Sequence, residues 1–189
     1  VGTGLTMCDA AITLARSGFV GMMTAVSRRG LLPRVHGESR PSVLNDWRDT
    51  LPLGSITDLS RAVRRAARSH GWRDAVDAIR PRTSELWSSL SANDQQRFLR
   101  RLAPYWDAHR HRMPAESAEA IAALCSSGML HILRGQIRNV RQEQASFTCE
   151  LTRTPERAES ELQVDAIVLC TGPEPNPRRW SSPLVDQLL

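Results

Sequence analysis

Two glycines one residue apart stand at the start of the chain, in the run Val1-Gly2-Thr3-Gly4-Leu5-Thr6. A glycine pair directly before a helical pattern is typical of the turn that holds the pyrophosphate of a dinucleotide. Gly2 would allow a tight bend, and Gly4 would let the backbone come within contact distance of the phosphates. We therefore expect the backbone N–H groups of this turn, together with the positive end of the following helix, to bind the diphosphate. The residues concerned are Gly2, Thr3, Gly4, Leu5 and Thr6.

A second set of candidate binding residues follows about twenty residues later, in the run that begins Ser27-Arg28-Arg29. An acidic residue at this point would favour NAD, because it accepts a hydrogen bond from the 2′-hydroxyl of the ribose. Arginines instead offer charge and N–H donors to a 2′-phosphate. The pattern therefore predicts NADP, held by Arg28 and Arg29 with Ser27, and makes Arg34 and His36 on the next loop candidates for closing over the adenosine.

A third cluster contains Trp106, Asp107, His109 and His111. Residues two positions apart on a helix point about 200° apart, so we do not expect the two histidines to bind one metal ion. The four residues are weak candidates for a catalytic role facing a substrate or the cofactors. The alternative is a structural cluster that docks a helical segment. No other catalytic residue is assigned, and no hydrolase motif with a nucleophilic Ser or Cys is present.

The composition limits the class of protein. The chain has 189 residues and a formal net charge of +5, and all 25 of its basic residues are Arg. Arginine suits nucleic-acid binding, but these arginines are dispersed among acidic residues, which also fits a base-composition bias in the gene. We therefore expect no nucleic-acid partner. No apolar run approaches the ~20 residues that span a bilayer, and the scattered cysteines lack metal-ligand spacing, so we expect a cytoplasmic protein with reduced thiols and no metal.

Apolar periodicity places the elements that would carry these residues. A helix is predicted over Leu5–Ser17, stopped by Gly18, and a buried parallel strand over Phe19–Ser27. A connection without periodicity follows from 30 to 53. Residues 57–128 then show the period of several helices. Their predicted caps include Thr57 and either Ser91 or Asn93.

From Met129 onward the period changes to that of strands. The predicted strands are Met129–Leu133, Ile137–Arg141, Ser146–Thr152 and Gln163–Cys170. Their polar connections are too short for crossover helices, so we expect an antiparallel meander. The last strand is apolar enough to return to a sheet core, and it runs into the turn Thr171-Gly172-Pro173.

This order of elements resembles the NADPH-binding half of two-dinucleotide flavoproteins. Four segments are similar to a bacterial family of FAD/NAD(P)-binding oxidoreductases, which is distantly similar to flavin N-hydroxylating monooxygenases; they are residues 2–7, 25–34, 105–113 and 165–175. The resemblance implies FAD as a second cofactor and a FAD-binding fingerprint ahead of this sequence. It also implies that Thr171, Gly172 and Pro173 belong to the FAD domain, near the junction of the two dinucleotides.

The predicted fold class is α/β. It comprises a Rossmann-like three-layer NAD(P)-binding domain (1–40 and 129–163) with an inserted helical segment (41–128) and an antiparallel β-meander. Residues 164–189 would return to an incomplete FAD-binding domain. Because only Val1 precedes the glycine turn, we expect an internal or C-terminal fragment that is incomplete at both ends and inactive alone.

The predicted function is hydride transfer from NADPH to FAD in an oxidoreductase that acts on a small-molecule substrate. One alternative is a flavin-free NADP-dependent reductase whose substrate pocket lies in the helical segment. A less favoured alternative is a basic nucleic-acid-binding module. The oligomeric state is left open.

Overall fold

The computed structural model describes residues 1–155, 157–172 and 187. Its elements form a mixed α/β structure with one four-stranded sheet. They divide into two compact units, which we call the sheet unit (Val1–Gly30 with Ala123–Leu189) and the helical unit (Leu31–Ala122). The sequence predicted the helical segment at 41–128, whereas the helical unit of the structure spans Leu31–Ala122.

The sheet unit opens with one helix and one strand. Helix α1 spans Leu5–Arg16 and strand β1 spans Met23–Ser27, which confirms the predicted helix and shortens the predicted strand. A glycine terminates α1. Gly18 adopts φ +86°, and the N–H of Phe19 after it donates to the Leu14 carbonyl at 3.1 Å. This left-handed backbone costs little for glycine alone, so the predicted stop is confirmed.

The remaining strands follow the helical unit. Strand β2 spans Leu130–Glu143, β3 spans Ser146–Arg153 and β4 spans Glu159–Val164. The order across the sheet is β1-β2-β3-β4; the pair β1 and β2 is parallel, and the other two pairs are antiparallel. The predicted parallel first strand and the predicted meander are therefore both confirmed.

The break predicted between Met129–Leu133 and Ile137–Arg141 was wrong, because β2 runs through both. Gly135 lies so close to β3 that a Cβ there would be 2.9 Å from the Thr152 carbonyl oxygen. Glycine permits this close approach. The strand can therefore pass from parallel pairing with β1 to antiparallel pairing with β3 without interruption.

The strand predicted at Gln163–Cys170 has the wrong bounds, because β4 ends at Val164 and residues 165–170 belong to no strand. The apolar side chains behind the prediction are not buried as in a sheet core: Leu169 is 74% exposed. The backbone of this stretch pairs with Val1 instead. Pairing with a single residue is too short to form a ladder.

The helical unit consists of short helices joined by tight turns, which confirms the helical character predicted from 57 onward. The helices are α2 Asn45–Asp49, α3 Ile56–His70, α4 Trp72–Ile79, α5 Thr83–Ser89, α6 Ala92–Arg101 and α7 Ala103–Arg110; α8, at Ala115–Ser126, leads into β2. Single 3₁₀ turns lie at Pro41–Leu44 and Arg80–Arg82.

Serines cap two helices of this unit, α3 and α6. Ser91 caps α6 as predicted, and its hydroxyl accepts the Asp94 N–H at 3.2 Å. The predicted cap Thr57 was wrong, because Ser55 caps α3 by accepting the Asp58 N–H at 3.3 Å. Ser55 has the extended backbone that a cap requires, whereas Thr57 already lies inside the helix.

Apolar side chains of several helices meet in the core of the helical unit. Leu51, Ile79 and Leu86 are buried together, and Trp47 and Trp106 pack against them. A neighbouring cluster consists of Leu44, Ala66, Ala75 and Ala78. The small alanines let α3 and α4 approach each other closely, so these short helices are held by packing rather than by length.

A buried ion pair ties the segment after α7 to α4. The Arg112 guanidinium donates two hydrogen bonds to the Asp77 carboxylate, at 2.8 and 3.0 Å. The two side chains are only 7% and 14% exposed. Arg112 also lies over the ring of Trp72, 4.9 Å from its centroid. Burial alone would raise the pKa of Asp77, but the hydrogen bonds and charge of Arg112 outweigh burial and hold that pKa below its ordinary value.

We expect Arg112→Met to lower the free energy of unfolding by about 3 kcal/mol, because it leaves the Asp77 carboxylate buried with only the longer 3.7 Å ion-pair contact to Arg80. Urea unfolding followed by circular dichroism measures the change. The control is Arg97→Met, which breaks the more exposed pair with Asp94 and should cost less than about 1 kcal/mol. Equal losses in the two variants would contradict the expected difference.

The same pair predicts a pH dependence. Because the folded-state pKa of Asp77 is depressed, its stabilisation is present above the unfolded-state value of about 3.9 and is lost as pH falls through the folded-state value. The stability difference between the unchanged chain and Arg112→Met should therefore shrink in acid. A difference that is constant from neutral pH to below about pH 3 would oppose this assignment.

Candidate functional site

The glycine turn begins between two neighbouring stretches of the sheet unit. The Gly2 N–H donates to the Val26 carbonyl near the end of β1, at 2.8 Å. On the other side, the Val1 nitrogen donates to the Val168 carbonyl at 2.5 Å, and the Cys170 N–H donates to the Val1 carbonyl at 2.7 Å. Val1 thus bonds to the residues on either side of position 169, which is the pattern of a parallel strand pair.

Gly2 is required by the fold itself. Its φ of +105° lies in the region that side chains rarely adopt, and a Cβ there would be 2.2 Å from the carbonyl oxygen of Cys170. The obstacle is backbone, which cannot rotate aside as a side chain can. Gly2 therefore brings the two stretches into contact, as the predicted tight bend requires.

Gly4 has the opposite surroundings. A Cβ at Gly4 would meet no described atom within 4 Å, and its backbone is extended, with φ −84° and ψ −168°. The helix that starts at Leu5 has no side-chain cap at Gly4 and no acidic residue in its first turn. The space beside Gly4 is therefore open, and the positive end of α1 faces no carboxylate from its own first turn.

A hydroxyl pair fixes the turn to the end of β1. The Oγ1 atom of buried Thr3 lies 2.8 Å from the Oγ atom of Ser27. The N–H of Gly30 donates to the same Ser27 oxygen at 3.0 Å. Ser27 thus holds both the glycine turn and the turn that contains the two arginines, which is a structural task that the sequence did not indicate.

The resulting register places the arginine turn beside the glycine turn. Gly2 meets Val26 and Thr3 meets Ser27, so the contacts advance in the same direction along both stretches. Of the two arginines that follow, Arg28 is exposed and Arg29 is half-buried. Two motifs that are far apart in the sequence therefore meet at one edge of the sheet, where the carboxyl ends of parallel strands commonly bind ligands.

Thr171 and Gly172 lie at this edge as well. Both residues follow Cys170. Because Val1 and residues 168–170 pair in parallel, the turns that follow Val1 and Cys170 lie on the same side. Thr171 and Gly172 are exposed, and Gly172 has φ +79°. Pro173, the third predicted residue of this turn, lies outside the described residues.

Cys8 is the one cysteine in the helix that follows the glycine turn. It is 1% exposed, and this burial, together with the carboxylate of Asp9, raises the pKa of its thiol to about 11. Cys8 is therefore protonated at neutral pH and is not a nucleophile. All four cysteines are free thiols, as expected, and only Cys125 is exposed.

Arg34 belongs to the helical unit. Its N–H donates to the Ala108 carbonyl at 2.8 Å, and its carbonyl accepts the N–H of Met113 at 2.9 Å. The N–H of His36 donates to the Met113 carbonyl at 2.9 Å. The side chains of Arg34 and His36 are exposed. These backbone bonds position the loop against the end of α7.

The four catalytic candidates do not converge. Trp106 packs against the core, whereas His109 donates from Nδ1 to the Tyr105 carbonyl at 2.7 Å and lies edge-on to Trp72. The Nε2 atom of His111 is 4.0 Å from the Asp107 carboxylate, and both of these side chains are largely exposed. Within 1–155 and 157–172, no group of three or more His, Cys, Asp or Glu is placed to hold a metal ion.

Sequence reasoning missed two features of the site. The contact of Gly2 with the Cys170 backbone joins residues at opposite ends of the chain, and no local pattern indicates it. The bond between Thr3 and Ser27 was also missed, although a threonine between the two glycines and a serine at a strand end are a signal that could have suggested it.

Comparisons with protein-family models, with curated proteins and with solved structures find no match for this sequence. In the part of the chain that the structure describes, no helix has both the length and the apolar character needed to cross a membrane.

The two glycines should respond differently to the same substitution. We expect Gly2→Ala to destabilise the chain by several kcal/mol, because it combines a positive φ with a backbone clash. Gly4→Ala should change the free energy of unfolding by less than about 1 kcal/mol, since the added methyl group meets no described atom within 4 Å. Thermal and urea unfolding of both variants provide the measurement, and a stable Gly2→Ala variant would contradict the close contact.

Proposed function

We propose that the glycine turn and the arginine turn together bind NADP(H), and that the chain is the NADP-binding portion of an FAD-dependent oxidoreductase. The observation that carries the proposal is the register between Gly2 and Val26 and between Thr3 and Ser27. This register brings Gly4 to the same edge of the sheet unit as Arg28 and Arg29. A Cβ at Gly4 would meet no described atom within 4 Å.

The residues at this edge suit the two charged parts of NADP. Gly4 and the first N–H groups of α1 would bind the pyrophosphate, because the helix end is uncapped and carries no acid in its first turn. Arg28 and Arg29 would bind the 2′-phosphate, and Ser27 would hold their turn in place. The nucleotide supplies the hydride; the protein contributes position and charge.

The pairing around Val1 supports a Rossmann-like arrangement. Strand β2 lies beside β1, the end of β1 bonds to Gly2, and Val1 bonds to the stretch that ends at Cys170. The chain turns at one edge after β1, after Val1 and after Cys170, whereas β2 continues to Glu143. The carboxyl ends of parallel strands are the setting in which dinucleotides bind. The FAD assignment rests on the family resemblance, with Thr171 and Gly172 at this same edge.

The alternatives make separable predictions. A flavin-free NADP-dependent reductase would use the same nucleotide turn and would purify without the visible absorbance of a flavin. A nucleic-acid-binding module would need a continuous basic surface. Against it stand the many arginines that pair with neighbouring acids, among them Arg48, Arg61, Arg82, Arg97, Arg112 and Arg141.

We expect NADPH to bind more tightly than NADH, and the double change Arg28→Gln with Arg29→Gln to remove most of this preference. Losing charge-assisted hydrogen bonds should weaken NADPH binding by about 1–3 kcal/mol and leave NADH binding nearly unchanged. Isothermal titration calorimetry with both nucleotides measures this. Arg16→Gln, an exposed change at the far end of α1, is the matched control. A preference that survives the double change would refute the assignment.

A second test uses the open space beside Gly4. We expect Gly4→Val to weaken NADPH and NADH binding alike by at least tenfold, because the side chain would occupy the space of the pyrophosphate. The same change should leave the unfolding transition nearly unaltered, since a Cβ at this position meets no atom of the described residues within 4 Å. Nucleotide titration and urea unfolding of one preparation separate the two effects. Unchanged affinity for both nucleotides would count against this turn as the binding site.

A further inference from the structure

A large cavity lies among the helices of the helical unit, separate from the glycine turn. Its volume is about 820 Å³, and side chains from α3, α4, α5, α6 and α7 line it. Cavities that bind small molecules typically measure about 300–1,000 Å³ and have mostly apolar walls. The aromatic part of this wall consists of Trp72, Trp87, Phe98, Tyr105 and Trp106.

The ionisable groups around this cavity are basic. Arg64 on α3, Arg101 at the end of α6 and His109 on α7 line it, together with Tyr105, and no carboxylate is among its lining residues in the described part of the chain. Arg64 and Arg101 are exposed, so their guanidinium groups stand at the rim. The Nδ1 atom of His109 is engaged with the Tyr105 carbonyl, which leaves Nε2 as its remaining polar atom.

These helices carry several acidic side chains, and four of them pair with other arginines. The pairs are Asp58 with Arg61, Asp77 with Arg112, Glu85 with Arg82, and Asp94 with Arg97. Over the described residues, Arg64 and Arg101 form neither a hydrogen bond nor an ion pair. The cavity therefore carries two guanidinium groups that have no ion-pair partner among the described residues.

We propose that this cavity binds a small molecule with an apolar body and an anionic group such as a carboxylate. The aromatic and aliphatic walls would bury the body, and Arg64 and Arg101 would bind the anion through charge-assisted hydrogen bonds. A second copy of this chain would fit the cavity less well than such a small molecule. The chain carries a net charge of +5, and a symmetric contact through this face would bring arginine against arginine.

The test uses two probes with the same alkyl chain and opposite charge, sodium dodecanoate and dodecyltrimethylammonium, titrated calorimetrically below their micelle concentrations. We expect dodecanoate to bind saturably with one molecule per chain, and at least tenfold more tightly than the cation. 12-Bromododecanoate should quench tryptophan fluorescence with the same midpoint, because Trp72, Trp87 and Trp106 line the cavity.

Two double variants assign the charge preference. Arg64→Gln with Arg101→Gln should abolish most of the preference for dodecanoate. Arg16→Gln with Arg68→Gln removes the same charge from exposed positions outside the cavity and should retain it. Equal binding of the two probes, non-saturable binding, or a preference that survives the first double variant would overturn the proposal. A dimer that persists in gel filtration while no dodecanoate binds would also overturn it and would identify the face as a contact between copies.

Discussion

The backbone contact between Gly2 and Cys170 is the constraint on which the candidate nucleotide site depends. A carbonyl oxygen occupies the place where any side chain at position 2 would begin, so the chain can pass between β1 and residues 168–170 only as glycine. The hydrogen bonds at Val1 and Gly2 then set the register, and that register decides which turns share an edge. Arg28 lies beside the glycine turn because its neighbours Val26 and Ser27 form hydrogen bonds with that turn.

Local sequence signals predicted the individual elements of this candidate site but not the contacts that bring them together. The glycine spacing, the helix that starts at Leu5 and the parallel strand that ends at Ser27 are all short-range features, and the structure confirms these elements. The bounds of later strands were predicted less well, because apolar content and turn residues do not reveal a partner. A break was predicted between Leu133 and Ile137, yet Gly135 permits a long strand to continue there. One alternative placed a substrate pocket in the helical segment, but the walls of this cavity could not be predicted, since they come from five helices.

The cluster around Trp72 shows why chemically suggestive residues in a sequence do not identify a catalytic centre. The guanidinium carbons of Arg73 and Arg112 lie 4.4 and 4.9 Å from the centroid of its ring, and the ring of His109 meets it edge-on at 4.9 Å. Arg112 also neutralises the buried Asp77. Within residues 109–112, His109 and Arg112 can therefore be explained by packing against Trp72, whereas His111 is largely exposed.

The absence of lysine gives every cation in this chain the same planar, always charged head group. An arginine without a partner is consequently no signal by itself; exposed examples such as Arg16 and Arg68 lie on open helix faces. Arg64 and Arg101 differ because they border an apolar cavity, where a bound anion would be partly shielded from water and the attraction would be stronger. Arg28 differs because it stands at an edge that also presents an uncapped helix end. In the first place an apolar wall adjoins the arginines, and in the second an uncapped helix end lies at the same edge, so each has a neighbouring feature that a lone surface charge lacks.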